Sequence, residues 1–195
     1  MRIWLLAVLV TAAFLAGQAG AALVVAVDVD PATAGVQSSR DVGLSGTFEV
    51  DVIVLGIEAP NSLNAFEFDL LFDPTFVEAV SIVDGGFLLD DVFEVQSTIG
   101  ASSVEVAEVT LGAMGASGGG VLATIVFAPV SLGTSTLDLG VVILSAPLGL
   151  EIATDSVDDA TVSVVPEPTT ALLIAVGLGC MASRGRLPEP RPRRA

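Results

Sequence analysis

The chain has 195 residues and a formal charge of -16, with no His, no Tyr, no Lys and one Cys. The missing imidazole excludes nearly all imidazole acid–base chemistry, and with a lone thiol it also excludes Cys–His proteases and His- or Cys-based zinc sites. One Cys cannot form an intrachain disulfide, so any fold must rest on its apolar core.

The N-terminus reads Met1-Arg2, then an apolar run from Ile3 to Ala16, then Gly17-Gln18-Ala19-Gly20-Ala21. A positive start, a greasy stretch and an Ala19-x-Ala21 site form the layout of a secretory signal peptide, with cleavage expected after Ala21. A first transmembrane helix fits less well, because the run is shorter than the roughly 18–20 apolar residues a span needs. Export would bring the domain into a disulfide-permissive compartment. The only thiol, Cys180, nevertheless lies near the C-terminus in a second apolar run, where it reads as a small apolar residue.

Residues 22–165 hold 21 of the acidic residues and a single basic one, Arg40. A surface of that sign repels phosphates and anionic lipid, so nucleic acid is excluded as a partner of this region. The pattern within it is β. In Phe48–Ile57 the apolar Phe48, Val50, Val52 and Val54 alternate with Glu49 and Asp51. Phe66, Phe68, Leu70 and Phe72 alternate likewise with Glu67 and Asp69. Period two with aromatic and β-branched residues predicts half-buried strands. Further strands are predicted over Leu23–Val29, Val77–Val83, Val92–Ser97, Val104–Leu111, Val121–Phe127, Ser135–Leu139, Val141–Ser145 and Val157–Val165. Turn signals such as Asp73-Pro74, Asp84-Gly85-Gly86 and Gly118-Gly119-Gly120 separate them. No helical period is sustained, which leaves no room for the crossover helices of a parallel α/β sheet. The expected fold is all-β, a single sandwich.

Several segments carry a resemblance. Phe48-Glu-Val-Asp-Val52, Leu63-Asn-Ala-Phe-Glu-Phe-Asp-Leu-Leu-Phe-Asp-Pro74, Val83-Asp-Gly-Gly-Phe-Leu-Leu89, Gly119-Gly-Val-Leu-Ala-Thr-Ile-Val-Phe127 and Gly133-Thr-Ser-Thr-Leu-Asp-Leu139 follow in the order of the cohesin domain and its carbohydrate-binding-module relatives. The resemblance implies a jelly-roll sandwich of about nine strands over residues 22–165, and a role in holding a partner without chemistry.

Three chemical readings were weighed against it. Gly115-Ala-Ser117-Gly-Gly119 fits the spacing of a nucleophile elbow, but a serine nucleophile needs a base, and the match falls in a glycine-rich run. Paired carboxylates are the minimum for a glycosidase, yet no pair is marked as facing a cleft. Trp4 lies in the signal peptide, so the mature chain has only Phe to offer a sugar, and those Phe sit on apolar strand faces. Calcium is the remaining candidate cofactor. Asp28 with Asp30, then Asp84, Asp90 and Asp91, then Asp155, Asp158 and Asp159, are carboxylate groupings without an EF-hand's spacing, and solvated turns explain them more simply. A further consequence concerns Glu49, Asp51, Glu67 and Asp69: if their strands paired, like charges would oppose each other, at a cost that calcium or placement in different sheets would remove.

Pro166-Glu167-Pro168 ends the sandwich, because Pro donates no amide hydrogen to a ladder. The apolar run 169–183 then has 15 residues. As a helix it spans about 22 Å, short of the ~30 Å hydrocarbon core. Arg184 and Arg186 follow directly and are expected on the cytoplasmic side of the membrane. Pro-Glu-Pro, apolar run and arginines together resemble the PEP-CTERM sorting tail of Gram-negative bacteria. That resemblance implies handling by an exosortase, with transient membrane anchoring over 166–186, and delivery to the cell surface or exopolysaccharide matrix. Residues 187–195 form a basic extension with a second Pro-Glu-Pro that has no apolar run behind it. The sequence thus points to an exported, non-enzymatic module that binds a protein partner. The alternative is a polysaccharide-binding module assisted by calcium.

Overall fold

A computed structural model describes residues 21–58, 61–88, 91–112, 115–167, 172–176, 178 and 181. Twelve strands run through the domain: β1 Val24–Asp28, β2 Ser39–Val42, β3 Phe48–Ile57, β4 Ala65–Leu71, β5 Val77–Asp84, β6 Val92–Ile99, β7 Ser103–Thr110, β8 Gly118–Pro129, β9 Gly133–Ala146, β10 Leu150–Glu151, β11 Ser156–Asp158 and β12 Ala160–Val164. They form two sheets. One runs β11-β1-β3-β8-β5, the other β2-β12-β9-β4-β7-β6 with β10 paired to β9. All ladders are antiparallel except β1 with β11 and β2 with β12.

The period-two pattern places the core. Phe48, Val50, Val52 and Val54 from β3 are buried, as are Phe66, Phe68 and Leu70 from β4 and Phe72 just beyond it. They face Val104 and Val106 of β7, Leu122, Ile125 and Phe127 of β8, and Leu137, Leu139 and Leu144 of β9 in one cluster. Phe127 joins the layers: its ring stacks on Phe48 at 5.7 Å within one sheet and meets Phe72 edge-on at 5.4 Å from the other.

The strand count differs from about nine for identifiable reasons. Ser135–Leu139 and Val141–Ser145 are a single strand, β9; Gly140 marks not a turn but a register shift opposite Asp69 and Leu70. The span Val157–Val165 is two strands in different sheets, since β11 pairs with β1 and β12 with β9. At the crossing, the Asp159 carboxylate accepts a hydrogen bond from the Leu139 amide at 3.0 Å. The short β2 and β10 carry little alternation and were not predicted. Glu49 and Asp51 lie in one sheet, Glu67 and Asp69 in the other, so the feared repulsion between those strands does not arise.

Two close approaches need glycine. A Cβ at Gly56, whose φ is +84°, would stand 2.2 Å from the Ala22 carbonyl oxygen, and one at Gly133 would stand 2.1 Å from the Phe76 ring. The last sandwich bond beyond β12 runs from the Val165 amide to the Val42 carbonyl at 2.9 Å, so the ladder stops where the sequence places Pro166. Residues 172–176 are helical, and no helix among the described residues is long and apolar enough to cross a membrane. The remainder of the predicted 169–183 helix, and the signal segment through residue 20, lie outside the described residues.

Phe127→Ala should cost about 3–5 kcal/mol, because it removes both ring contacts and leaves a cavity between the sheets. Val80→Ala, at a position 53% exposed, should stay within about 0.5 kcal/mol. Urea denaturation of the two variants checks the contrast.

Candidate functional site

The outer face of β6-β7-β4-β9 departs from the polar surface that an exposed sheet face ordinarily presents. Its cross-strand register forms three rows. Phe93, Val109, Ala65 and Ser145 make the first, and Gln96, Ala107, Glu67 and Ile143 the second. Thr98, Glu105, Asp69 and Val141 make the third. The first row is mostly apolar and the second half so, with Glu67 in it; the third puts two carboxylates side by side.

Large apolar side chains stand open to solvent on this face: Phe93 is 56% exposed, Ile143 45%, and Val95, at the register shift of β6, 61%. Val95 and Ile143 border a shallow hollow lined also by Ala65, Glu67, Ala107 and Val109. Small residues in the middle strands and larger ones on the flanks produce the concavity. A contiguous exposed apolar surface rimmed by polar groups is the usual mark of an interaction site.

The charge on the face has one sign. Glu67, Asp69 and Glu105 lie on it, and the Gln96 side-chain amide donates to the Glu105 carboxylate. Arg40, the only basic residue of 22–165, lies on β2 at the far edge of this sheet. It donates to the Val29 carbonyl at 2.9 Å and lies 3.5 Å from Asp30, so it neutralises none of these acids.

The carboxylates weighed as calcium ligands have local work. Asp28 accepts from the Asp30 and Gln37 amides, both at 3.1 Å. Asp84 accepts from the Gly86 amide at 2.7 Å and Asp155 from the Leu23 amide at 2.8 Å. These bonds tie down turns. Among the described residues no group of three or more His, Cys, Asp or Glu is arranged to hold a metal ion. Asp90 lies outside the described residues.

In the other sheet, too, like charges oppose each other, Asp28 facing Asp51 in the β1–β3 ladder. Burial raises the Asp51 pKa, and the charges of Asp28 and Glu49 raise it further. The Thr124 hydroxyl, donating to Asp51 at 2.6 Å, works in the opposite direction.

Ser117 precedes β8 directly, on a segment where Ala116 bridges to Leu63. A nucleophile elbow requires a strand-to-helix turn, whereas here a loop enters a strand.

Of the sorting residues, Pro166 and Glu167 are described. The Ser45 hydroxyl donates to the Glu167 carboxylate at 2.5 Å, so the segment starts against the β2–β3 loop. The Ala21 amide donates to the Glu58 carboxylate at 2.8 Å. Ala19, Pro168, Arg184 and Arg186 lie outside the described residues.

The residues of this outer face are not marked in the sequence. Their signal was faint: Phe93 and Val95 share one strand with Gln96 and Thr98, and only the ladder partners reveal that Ile143 and Val109 join them.

Similar architectures exist among solved structures. The non-cellulosomal cohesin of the archaeon Archaeoglobus fulgidus superposes with a TM-score of 0.58 at 13% identity, over 78% of this chain and 98% of that one. The seventh ScaB type I cohesin of Pseudobacteroides cellulosolvens gives 0.58 at 14%, over 89% and 99%. The fold is cohesin-like. A third structure, from the Coh-OlpA–Doc918 complex of Clostridium thermocellum, gives 0.59 at 12%, over 74% and 100%. No family model and no curated protein matches the sequence. The cohesin-like sandwich accounts for nearly the full length of each of these structures, and the likeness is one of fold.

Because the face's side chains leave the core alone, Phe93→Ala and Ile143→Ala should each shift stability by no more than about 0.5 kcal/mol. Thermal melts of both variants beside the parent chain test this.

Proposed function

We propose that the protein is an exported, non-enzymatic binding module that grips a protein partner on the outer face of β6-β7-β4-β9. The observation that carries this reading is the exposed trio Phe93, Val95 and Ile143 beside Glu67, Asp69 and Glu105, with no basic residue in the rows they form. Such a face fits a partner that offers an apolar ridge flanked by Lys or Arg. Burial of the ridge supplies most of the affinity, and the charges supply orientation and on-rate. The similar Clostridium thermocellum structure is a cohesin–dockerin complex, which supports reading a sandwich of this shape as a protein-holding module.

Sorting belongs to the same proposal. The signal segment ending at Ala21 exports the chain, and Pro166-Glu167-Pro168, the apolar run and Arg184 with Arg186 address it to an exosortase, which releases it to the cell surface or exopolysaccharide matrix of a Gram-negative bacterium. The end of the ladder at Val165 supports this division, since the motif begins where the sandwich stops.

Binding is tested with immobilised wild type and Ile143→Lys challenged with the secreted proteins of the native host. A protein retained by the wild type, released by raised salt and held at least tenfold more weakly by the variant supports the reading, because a hot-spot change costs about 2 kcal/mol or more. Equal retention by both chains, or saturable binding on a glycan array with none to protein, overturns it. Processing has its own readout, the intact mass of the protein recovered from the host. Loss of residues 1–21 and of the segment beyond Pro-Glu-Pro is expected, and a chain still ending at Ala195 would sink the sorting proposal.

A further inference from the structure

Glu108 lies where the sequence pattern calls for an apolar residue. Along β7 the side chains of Val104, Val106, Glu108 and Thr110 point inward in succession, and Glu108 stands opposite Phe66 of β4. It is 5% exposed, and its Oε2 is buried without a hydrogen-bond partner among the described residues. A buried carboxylate with an empty lone pair is costly when ionised.

Its surroundings add to that cost. From β6, Glu94 lies directly opposite Glu108 in the ladder. From β5, at the rim of the facing sheet, Asp84 acts on it with the same sign. From β4 the inward residues are Phe66, Phe68 and Leu70, with no charge. The three acids gather where the edge strands β5 and β6 close one side of the sandwich. Among the described residues no basic group balances them, because Arg40 sits at the opposite edge of the second sheet. They are not arranged to hold a metal ion, whereas a proton needs only one carboxyl group, and it converts an acceptor among acceptors into a donor.

We propose that Glu108 is a proton-binding site that fastens the β6 edge: protonated, it lets β6 close over the core, and ionised, it loosens that strand. Burial, followed by the charges of Asp84 and Glu94, raises its pKa from 4.5 to about 7. The folded edge therefore binds more protons than the opened one between these values. The stabilisation is fully present below the unfolded value and is lost as pH rises through 7. Opening is local and easy, because β6 pairs only with β7 and is exposed along nearly its whole length. Since β6 carries Phe93, Val95, Gln96 and Thr98, partner binding should weaken with the same pH dependence; that consequence, unlike the loosening itself, rests on the proposed binding face.

Hydrogen exchange on the full chain reads the edge without any partner. After correction for intrinsic rates, protection of the β6 amides relative to those of β3 should fall on the order of 10- to 30-fold between about pH 5.5 and 8. Glu108→Gln keeps the shape without the charge, so it should abolish most of that fall and protect β6 better than wild type at pH 8. Glu94→Gln should move the wild-type midpoint to lower pH. Parallel loss of protection in wild type and Glu108→Gln, or flat profiles in both, overturns the proposal. Failure of the binding reading alone would leave these profiles unchanged and remove only the pH-dependent capture of a partner.

Discussion

Everything in this domain hangs on apolar contact between two sheets. With a single Cys there is no intrachain cross-link, so the sandwich is held by side chains that alternate inward from each strand, and by the ladders that keep that alternation in register. Phe127 shows how the constraint works. Its ring touches Phe48 beside it and Phe72 across from it, so the spacing of the layers and the pairing of β3 with β8 are fixed by the same side chain. A one-residue slip would turn every inward residue to solvent, and that penalty makes the register specific without disulfides or metal.

The same constraint explains how the acids are distributed. A domain this negative must keep its charges in water or give them local partners. Several carboxylates accept from backbone amides at turns and crossings, as Asp28, Asp84, Asp155 and Asp159 do. Asp51 has a threonine hydroxyl to offset its neighbour. Among the described carboxylates Glu108 alone combines deep burial, an unpartnered oxygen and two acidic neighbours, and it occurs at the rim, where an edge strand can move. The exception falls where the fold has least to lose from local opening.

Function in this reading follows from a face that the core does not need. The β6-β7-β4-β9 sheet spends its inward residues on packing and keeps exposed aromatic and aliphatic groups on the other side, beside carboxylates that lack cations. Imidazole chemistry would require a group the chain does not have; recognition requires only shape, apolar area and a charge pattern. The cohesin-like architecture is compatible with such use, and the site itself is argued from this chain's own rows of residues.

Sequence by itself determined the all-β class, the inward faces of β3 and β4, the end of the ladder near Pro166 and the lack of histidine-based chemistry. These are local properties, written in period-two alternation, in proline's missing amide and in composition. Tertiary structure decided the rest. Ser135–Leu139 and Val141–Ser145 looked like two strands, and only the β4 ladder showed one strand with a register shift at Gly140. Asp159 looked like a solvated acid, and only the switch between sheets gave it the Leu139 amide to hold. Phe93 and Ile143 are 50 residues apart, and nothing local relates them until β7 and β4 lie between β6 and β9. Glu108 takes the inward phase that Val104 and Val106 begin, and its burial is set by what closes around it, Phe66 of β4 opposite it and the facing sheet beyond. Strand pattern tells a residue which way to face, but what it faces is set by long-range pairing, and both the exposed apolar face and the buried acid are facts of that second kind.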